Sequence, residues 1–173
     1  MSDRWSDEQR FEELYRSTYP DIVAYCRRRL NPDLVDDVVS TTFLVAWRRL
    51  DQVLAADSPL AWLYGVAYRT IGNQIRSRNR FSELKAKVLR QPPVRVVTVE
   101  SSVELGDDVE HVLRALSTLS TTDQEIIRLV AFEGLTISEI AQAVGGTTAS
   151  ARSKLHRARK RLRIASETQN GAT

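Results

Sequence analysis

The sequence predicts an all-α protein made of two small helical domains joined by an extended linker. Three observations carry the prediction. Apolar residues recur at three- and four-residue intervals along most of the 173 residues, the period of a helix with one buried face. Only 7 glycines and 5 prolines interrupt the chain, and its β-branched runs are short. One segment, QPPVRVVTVESSVELG at 91–106, drops the helical period and divides a domain over 7–90 from a second over 107–165.

Met1–Ser6 is polar and reads as a frayed end. From Asp7 to about Leu30, Phe11, Leu14, Tyr15, Ile22, Val23 and Cys26 recur at helical intervals. Pro20 falls inside this helix, as a kink or as the first turn of a renewed one. Arg27-Arg28-Arg29 closes it, where cations complement the negative end of the helix dipole. Asn31-Pro32-Asp33 is a turn that also supplies the next cap. Asp33–Arg49, DLVDDVVSTTFLVAWRR, is a second helix. Its wide apolar face is Leu34, Val35, Val38, Val39, Thr42, Phe43, Ala46 and Trp47; Asp36, Asp37, Ser40 and Thr41 lie on the other side.

Leu50–Ser58 loses the pattern and reads as a loop, and Ser58-Pro59 opens a helix to about Arg80, extended by the basic stretch Phe81–Arg90. Leu60, Leu63, Tyr64, Ala67 and Ile71 share its core side. Trp62, Val66, Arg69, Asn73 and Arg76 share the opposite side. An aromatic, an amide and two guanidiniums on one face suit single-stranded DNA through stacking, hydrogen bonds and phosphate neutralisation. The alternative buries Trp62 and Val66 under a neighbouring helix and leaves the arginines facing water. Beyond Pro92-Pro93, VRVVTV has strand composition but no partner strand, so 91–106 reads as an extended linker.

Helix resumes from Asp107 to Leu119 with Val109, Val112, Leu113 and Leu116 facing inward. Ser120, with Asp123 three residues on, opens another in a variant of the capping box; Ile126, Ile127, Val130 and Phe132 supply its apolar content, and Glu133-Gly134 ends it. Thr136 and Glu139 have full capping-box spacing, followed by the stripe Ile137, Ile140, Ala141 and Val144. Gly145-Gly146 supplies a positive-φ turn, and Thr147 caps a last, basic helix whose tail after about Ala165 reads as disordered. A short helix, a glycine turn and a longer helix make a helix-turn-helix, whose second helix enters a DNA major groove.

On that second helix Ala151, Leu155, Ala158 and Leu162 form a narrow apolar stripe. Ala149, Arg152, Ser153, His156 and Lys160 lie roughly opposite, with Ser150 and Arg157 on the flank. Small residues let a helix approach base edges, arginine pairs with guanine, and the later cations suit phosphates. Arg152, Lys154, Arg157, Arg159, Lys160, Arg161 and Arg163 are seven cations, with no acid between Ser150 and Arg163. The competing explanation, a solvated basic helix, leaves the capped helix and glycine turn before it unexplained.

The composition narrows the function classes. With 42% apolar and 27% charged residues the chain is globular, and a net charge of +3 makes the distribution of charge more informative than its sum. Cys26 is the single cysteine, which excludes an internal disulfide and a cysteine-rich zinc site. No apolar run approaches the ~20 residues of a membrane span and no signal peptide is visible, so a cytoplasmic protein without membrane insertion is expected. No catalytic residue, metal or cofactor is expected. His111 and His156 fall on separate helices, and the adjacent Asp36 and Asp37 diverge by about 100°.

The order of these segments resembles an extracytoplasmic-function (ECF) sigma factor, the small two-domain class of the sigma-70 family. The residues that carry it are Phe11, Leu14 and Tyr15, then DDVVSTTFLVAW (Asp36–Trp47), PLAWLYGVAY (Pro59–Tyr68), Leu119–Gly145 and Ala149–Arg163. The resemblance implies a region 2 domain that binds the β′ clamp helices of core RNA polymerase through Asp36, Asp37, Ser40, Thr41, Phe43, Leu44 and Trp47. That domain would recognise and open the −10 promoter element through Leu50–Ser58 and through Trp62, Arg69, Asn73 and Arg76. It further implies a linker along the RNA exit path, and a region 4 domain that contacts the β flap. Region 4 would read the −35 element with Ala149, Ser150, Arg152, Ser153, Lys154, His156 and Arg157. An anti-sigma factor is an implied partner. The chain departs from the family at Ser40-Thr41, where Gln-Glu is usual, at Gly65, Tyr68 and Asn73, and at Gly146, which replaces an apolar turn residue. The competing function is a helix-turn-helix regulator that binds duplex DNA alone, as a dimer.

Overall fold

Apolar stripes of helical period demand partners, and the chain supplies them in two separate sets. The computed structural model describes the backbone of residues 2–89 and 107–170, and the side chains of 7–81, 83 and 110–168. Among the described residues all regular structure is helical: α1 (Ser2–Arg27), α2 (Pro32–Arg48), α3 (Leu50–Leu54), α4 (Pro59–Leu89), α5 (Asp107–Ser117), α6 (Thr121–Ala131), α7 (Ile137–Val144) and α8 (Thr148–Asn170). They form two units, Met1–Ser101 and Ser102–Thr173. The expected extended linker and its Val-rich run lie outside the described residues.

In the first unit α1, α2 and α4 pack pairwise, and α3 closes against α2 and α4. The core is Leu14, Ile22, Tyr25 and Cys26 of α1, Leu34, Val35, Val38, Val39, Phe43 and Ala46 of α2, and Ala61, Leu63, Tyr64, Val66, Ala67 and Ile71 of α4. Helix α1 runs through Pro20 without ending. Proline withholds the N–H that the Arg16 carbonyl would accept, while Leu14 and Ile22, buried on either side, tie both halves to one core. The polar start Met1–Ser6, expected to fray, joins this helix from Ser2.

Two further expectations change here. The segment 50–58, read as a loop, begins with one short helix, α3. Five residues are too few to show a period, but Leu50 and Val53, three apart, are both buried and fix the turn. Arg29 does more than complement a dipole. It is 2% exposed, donates to the Tyr25 carbonyl at 3.2 Å, and lies 3.7 Å over the Tyr25 ring, itself stacked on Tyr64 at 4.9 Å. The cation–π contact and that hydrogen bond offset part of the cost of burying the guanidinium.

In the second unit α8 is central and packs on α5, α6 and α7. Its contacts are built on small residues: Ala115, Ala141, Ala143, Ala151 and Ala158 are buried beside Leu116, Ile126, Leu129, Ile140 and Leu155. Alanines let helix axes approach closely, so a narrow stripe suffices to bury α8. Val112, expected to face inward, and Phe132, read as part of the apolar content of its helix, are exposed. Ala115 takes the inward place on α5, and Phe132 follows the last residue of α6 at its C-cap, past the helical stripe. The tail expected to be disordered is helical to Asn170: His111 Nε2 lies 3.0 Å from both the carbonyl oxygen and Oγ of Ser166, fastening α8 to α5 beyond Ala165.

Candidate nucleic-acid interface

The helix-turn-helix is fixed at each corner by a local device. Thr136 N–H donates to Glu139 Oε2 at 2.9 Å, and Glu139 N–H donates to Thr136 Oγ1 at 3.3 Å, completing the capping box of α7. Gly145 and Gly146 end α7 with φ of +79° and +132°, where side chains are strained. Ser150 N–H then donates to Thr147 Oγ1 at 3.1 Å and starts α8.

Ala151, Leu155 and Ala158 are buried beneath α8, so its opposite side faces solvent. Ala149, Arg152, Ser153, His156 and Arg157 are exposed there, while Ser150 and Lys154 are half-buried on the flank. The seven residues expected to read DNA thus divide into five on the open face and two at its edge. The cations beyond them divide as well. Arg159 and Lys160 are exposed, Arg163 lies 3.8 Å from Glu167, and Arg161 pairs with Asp123 of α6. Asp123 also gives its N–H to Ser120 Oγ at 3.2 Å. Only half of the expected capping box therefore forms there, because the carboxylate is turned to Arg161. The sequence carried a signal for this: Asp123 precedes the buried Ile126 by three residues, and an acid on an apolar stripe requires a cation.

On α4, Trp62 is half-buried and Arg69, Asn73 and Arg76 are exposed, but Val66, expected among them, is buried. The open face is therefore interrupted, with Trp62 about 10 Å along the axis from Arg69. Arg76 Nη2 donates to Asn73 Oδ1 at 2.7 Å, and its guanidinium lies over Gly72, with Nη1 3.4 Å from the position a Cβ would take. Partial burial, and then the charge of Arg49, lower the Arg69 pKa. Arg49 sits at the α2–α3 junction, where its charge acts on Arg69.

On α2, Asp36, Asp37, Ser40 and Thr41 are exposed, followed by Leu44 (48% exposed) and Trp47 (38%). Phe43, expected with them at the polymerase-facing surface, is buried. It supports an aromatic ladder with Tyr15 at 4.6 Å and Tyr19 at 6.1 Å, while Phe11 meets Trp47 edge-on at 5.2 Å. Tyr15 and Tyr19 stack at 4.9 Å, and desolvation, then the neighbouring Tyr19, raise the Tyr15 pKa. The outer side of α2 is thus acidic and polar at its start and apolar at its end. Among the described residues no group of three His, Cys, Asp or Glu side chains could hold a metal ion, and no helix is long and apolar enough to cross a membrane.

Known proteins match both units. The family profile for sigma-70 region 2 matches residues 14–81, and that for sigma-70 region 4 matches residues 110–162. The ECF RNA polymerase sigma factor SigD of Mycobacterium tuberculosis is 29% identical over 163 residues, covering 91% of this chain and 77% of SigD. The RNA polymerase sigma factor YlaC of Bacillus subtilis is 29% identical over 156 residues, covering 88% and 89%. The fold is shared with the sigma factor RpoE of Bartonella quintana, solved in complex with the anti-sigma factor NepR. Its TM-score is 0.67, with 22% identity and coverage of 90% of this chain and 95% of RpoE. It is shared also with CnrH, solved with the cytosolic domain of CnrY, at a TM-score of 0.58, 23% identity and coverage of 97% and 99%. With region 2 in its first unit and region 4 in its second, the chain belongs to the sigma-70 family as an RNA polymerase sigma factor of the ECF class, which directs transcription initiation and is not itself an enzyme.

Proposed function

We propose that the chain divides the work of promoter recognition along its domain boundaries: region 2 over 7–90, a linker over 91–106, and region 4 over 107–165. Region 2 docks on the β′ clamp helices of core RNA polymerase with the outer side of α2. Asp36, Asp37, Ser40 and Thr41 make the polar part of that contact and Leu44 and Trp47 the apolar part, with Phe43 buttressing them from beneath. The segment 50–58 and α4 receive the −10 element, where Trp62 stacks on a base and Arg69, Asn73 and Arg76 hold the backbone of the opened strand. Region 4 meets the β flap and reads the −35 duplex. Arg152 contacts base edges, Ala149, Ser150, Ser153 and His156 line the close approach, and Lys154 and Arg157 bind phosphate. Docking and phosphate contacts together offset the cost of unstacking the −10 bases.

What supports this reading above all is the outward side of α8: short side chains at its start and cations further on, over a buried alanine stripe. An anti-sigma factor, as held by the RpoE structure, would act by covering one of these faces, and the cytoplasm is where both it and the polymerase meet the chain.

The test is run-off transcription with purified core polymerase on promoters selected from random DNA by the reconstituted holoenzyme. The expected result is initiation that depends on separate −10 and −35 blocks and on no other factor. A chain that instead binds a palindromic duplex as a dimer, and leaves core polymerase inert, is the conventional regulator.

A further inference from the structure

The distal half of α8 is held by a contact that the reading of its outward side does not need. Arg161 donates from Nη1 to Asp123 Oδ2, bridging 38 residues of chain. The Asp123 side chain is 9% exposed and that of Arg161 57%. A carboxylate so far removed from water is unfavourable unless a cation stays against it, so this pair behaves as a strut and not as a surface pair that opens freely. Asp123 is itself fixed, since its N–H is bound to Ser120 Oγ at the start of α6. Arg161 follows Arg152 by nine residues, which at about 100° per residue puts it on the opposite side of the helix. It flanks Ala158, which is fully buried. Of the seven cations on α8, this one is held toward α6, yet it lies one turn beyond the exposed Arg157, so that once released it reaches the edge of the outward side.

Resting on the assignment of α8 to duplex DNA, we infer that Asp123 is a positioning residue for −35 recognition, acting through Arg161. The carboxylate does two things at once. It sets the rotation of α8 about its own axis at the end far from the glycine turn, so that Arg152 is presented at one angle to the base edges. It also withholds one guanidinium from the phosphates, lowering general affinity for DNA while sharpening discrimination. These effects have opposite signs on non-specific and specific binding, and loss of folding alone cannot reproduce them.

The test uses the full chain, a −35 duplex recovered by selection with the wild-type holoenzyme, and a scrambled duplex, with fluorescence anisotropy across a salt series. Asp123→Asn releases Arg161. Binding to the scrambled duplex should tighten about two- to three-fold, and the slope of log affinity against log salt should steepen by about 0.9, one added phosphate contact. The preference for the −35 duplex should fall about three- to ten-fold. Arg161→Lys keeps the charge pair and with it the fold, and should leave the slope unchanged with a smaller loss of preference. The swap Asp123→Arg with Arg161→Asp should recover part of the preference that Asp123→Asn loses. The inference is overturned if Asp123→Asn weakens both duplexes alike at constant slope, or if Arg161→Lys flattens the slope as the loss of a phosphate contact would. If the wild-type chain does not prefer the −35 duplex, the assignment of α8 fails; if it does and Asp123→Asn matches it in preference and slope, only the role of Asp123 fails.

Discussion

The two units bury their helices by different means, and the difference follows what each has to present. The second unit packs α8 on alanines, leucines and isoleucines, buries Glu125 and Arg128 of α6 as well, and turns the cations of α8 to the surface or to the Asp123–Arg161 strut. The first unit packs large rings, and the ladder of Phe11, Tyr15, Tyr19, Phe43 and Trp47 reaches from the core to solvent. A helix that reads a duplex must be slim and rigid, because a groove admits little more than the helix itself. A surface that holds a protein partner or an unstacked base benefits from large apolar edges left partly exposed. On this view the second unit is a fixed reader with a small core, and the first a larger body with adjustable faces.

The sharpest way to break that contrast is to remove core volume from the reader. Leu155 is buried on the narrow stripe of α8, and Leu155→Ala should cost about 2–4 kcal/mol. A helical unit of about sixty residues has little more than that to lose. Calorimetry or amide exchange on the full chain should show the second unit unfolded with the first intact. A uniform small loss across both units would mean that they do not fold independently.

Next in size is the base-edge contact proposed for Arg152. Arg152→Ala leaves the packing of α8 untouched, since the side chain is exposed. It should weaken binding to the selected −35 duplex by about 1–3 kcal/mol and relax preference at one base pair. Equal weakening on all sequences would make Arg152 a phosphate contact.

A smaller effect separates the corner from the reading face. Thr136→Ala removes the Oγ1 acceptor of the Glu139 N–H and opens the capping box. The expected cost is about 1 kcal/mol in the unfolding of the second unit. Base preference of the folded protein should stay unchanged, checked by binding below the unfolding transition.

Most of this plan was legible in the sequence because helical period, caps and glycine turns are local signals. Thr136 with Glu139, Ser58 before Pro59, and Gly145-Gly146 all do what their spacing predicts. What escaped was long-range. Nothing adjacent to Asp123 in the chain names Arg161 as its partner, and nothing near His111 names Ser166. Nor does helical angle alone decide burial. Val66 lies on a side that carries polar residues, yet neighbouring helices cover it, while Val112 has the right angle and no cover. In α3 the element was too short for its period to show, and only the burial of Leu50 and Val53 reveals it.

The mildest change tests whether the first unit is adjustable. Gly72 lies inside α4, where glycine is less favourable than alanine by about 0.5–1 kcal/mol. A Cβ there would stand 3.4 Å from Arg76 Nη1 and 3.7 Å from Nη2, the free end of a flexible side chain. The guanidinium can shift by a few tenths of an ångström at little cost and keep its 2.7 Å bond to Asn73. Gly72→Ala should therefore raise the melting temperature of the first unit by about 2–6 °C, with less than a two-fold change in affinity for single-stranded −10 DNA. A lower melting temperature would mean that Arg76 cannot yield and that the packing over Gly72 is rigid. A raised one with several-fold weaker strand binding would make the place of Arg76 over Gly72 a fixed contact. The first unit would then be as exacting a reader as the second, and the contrast between them would rest on their cores alone.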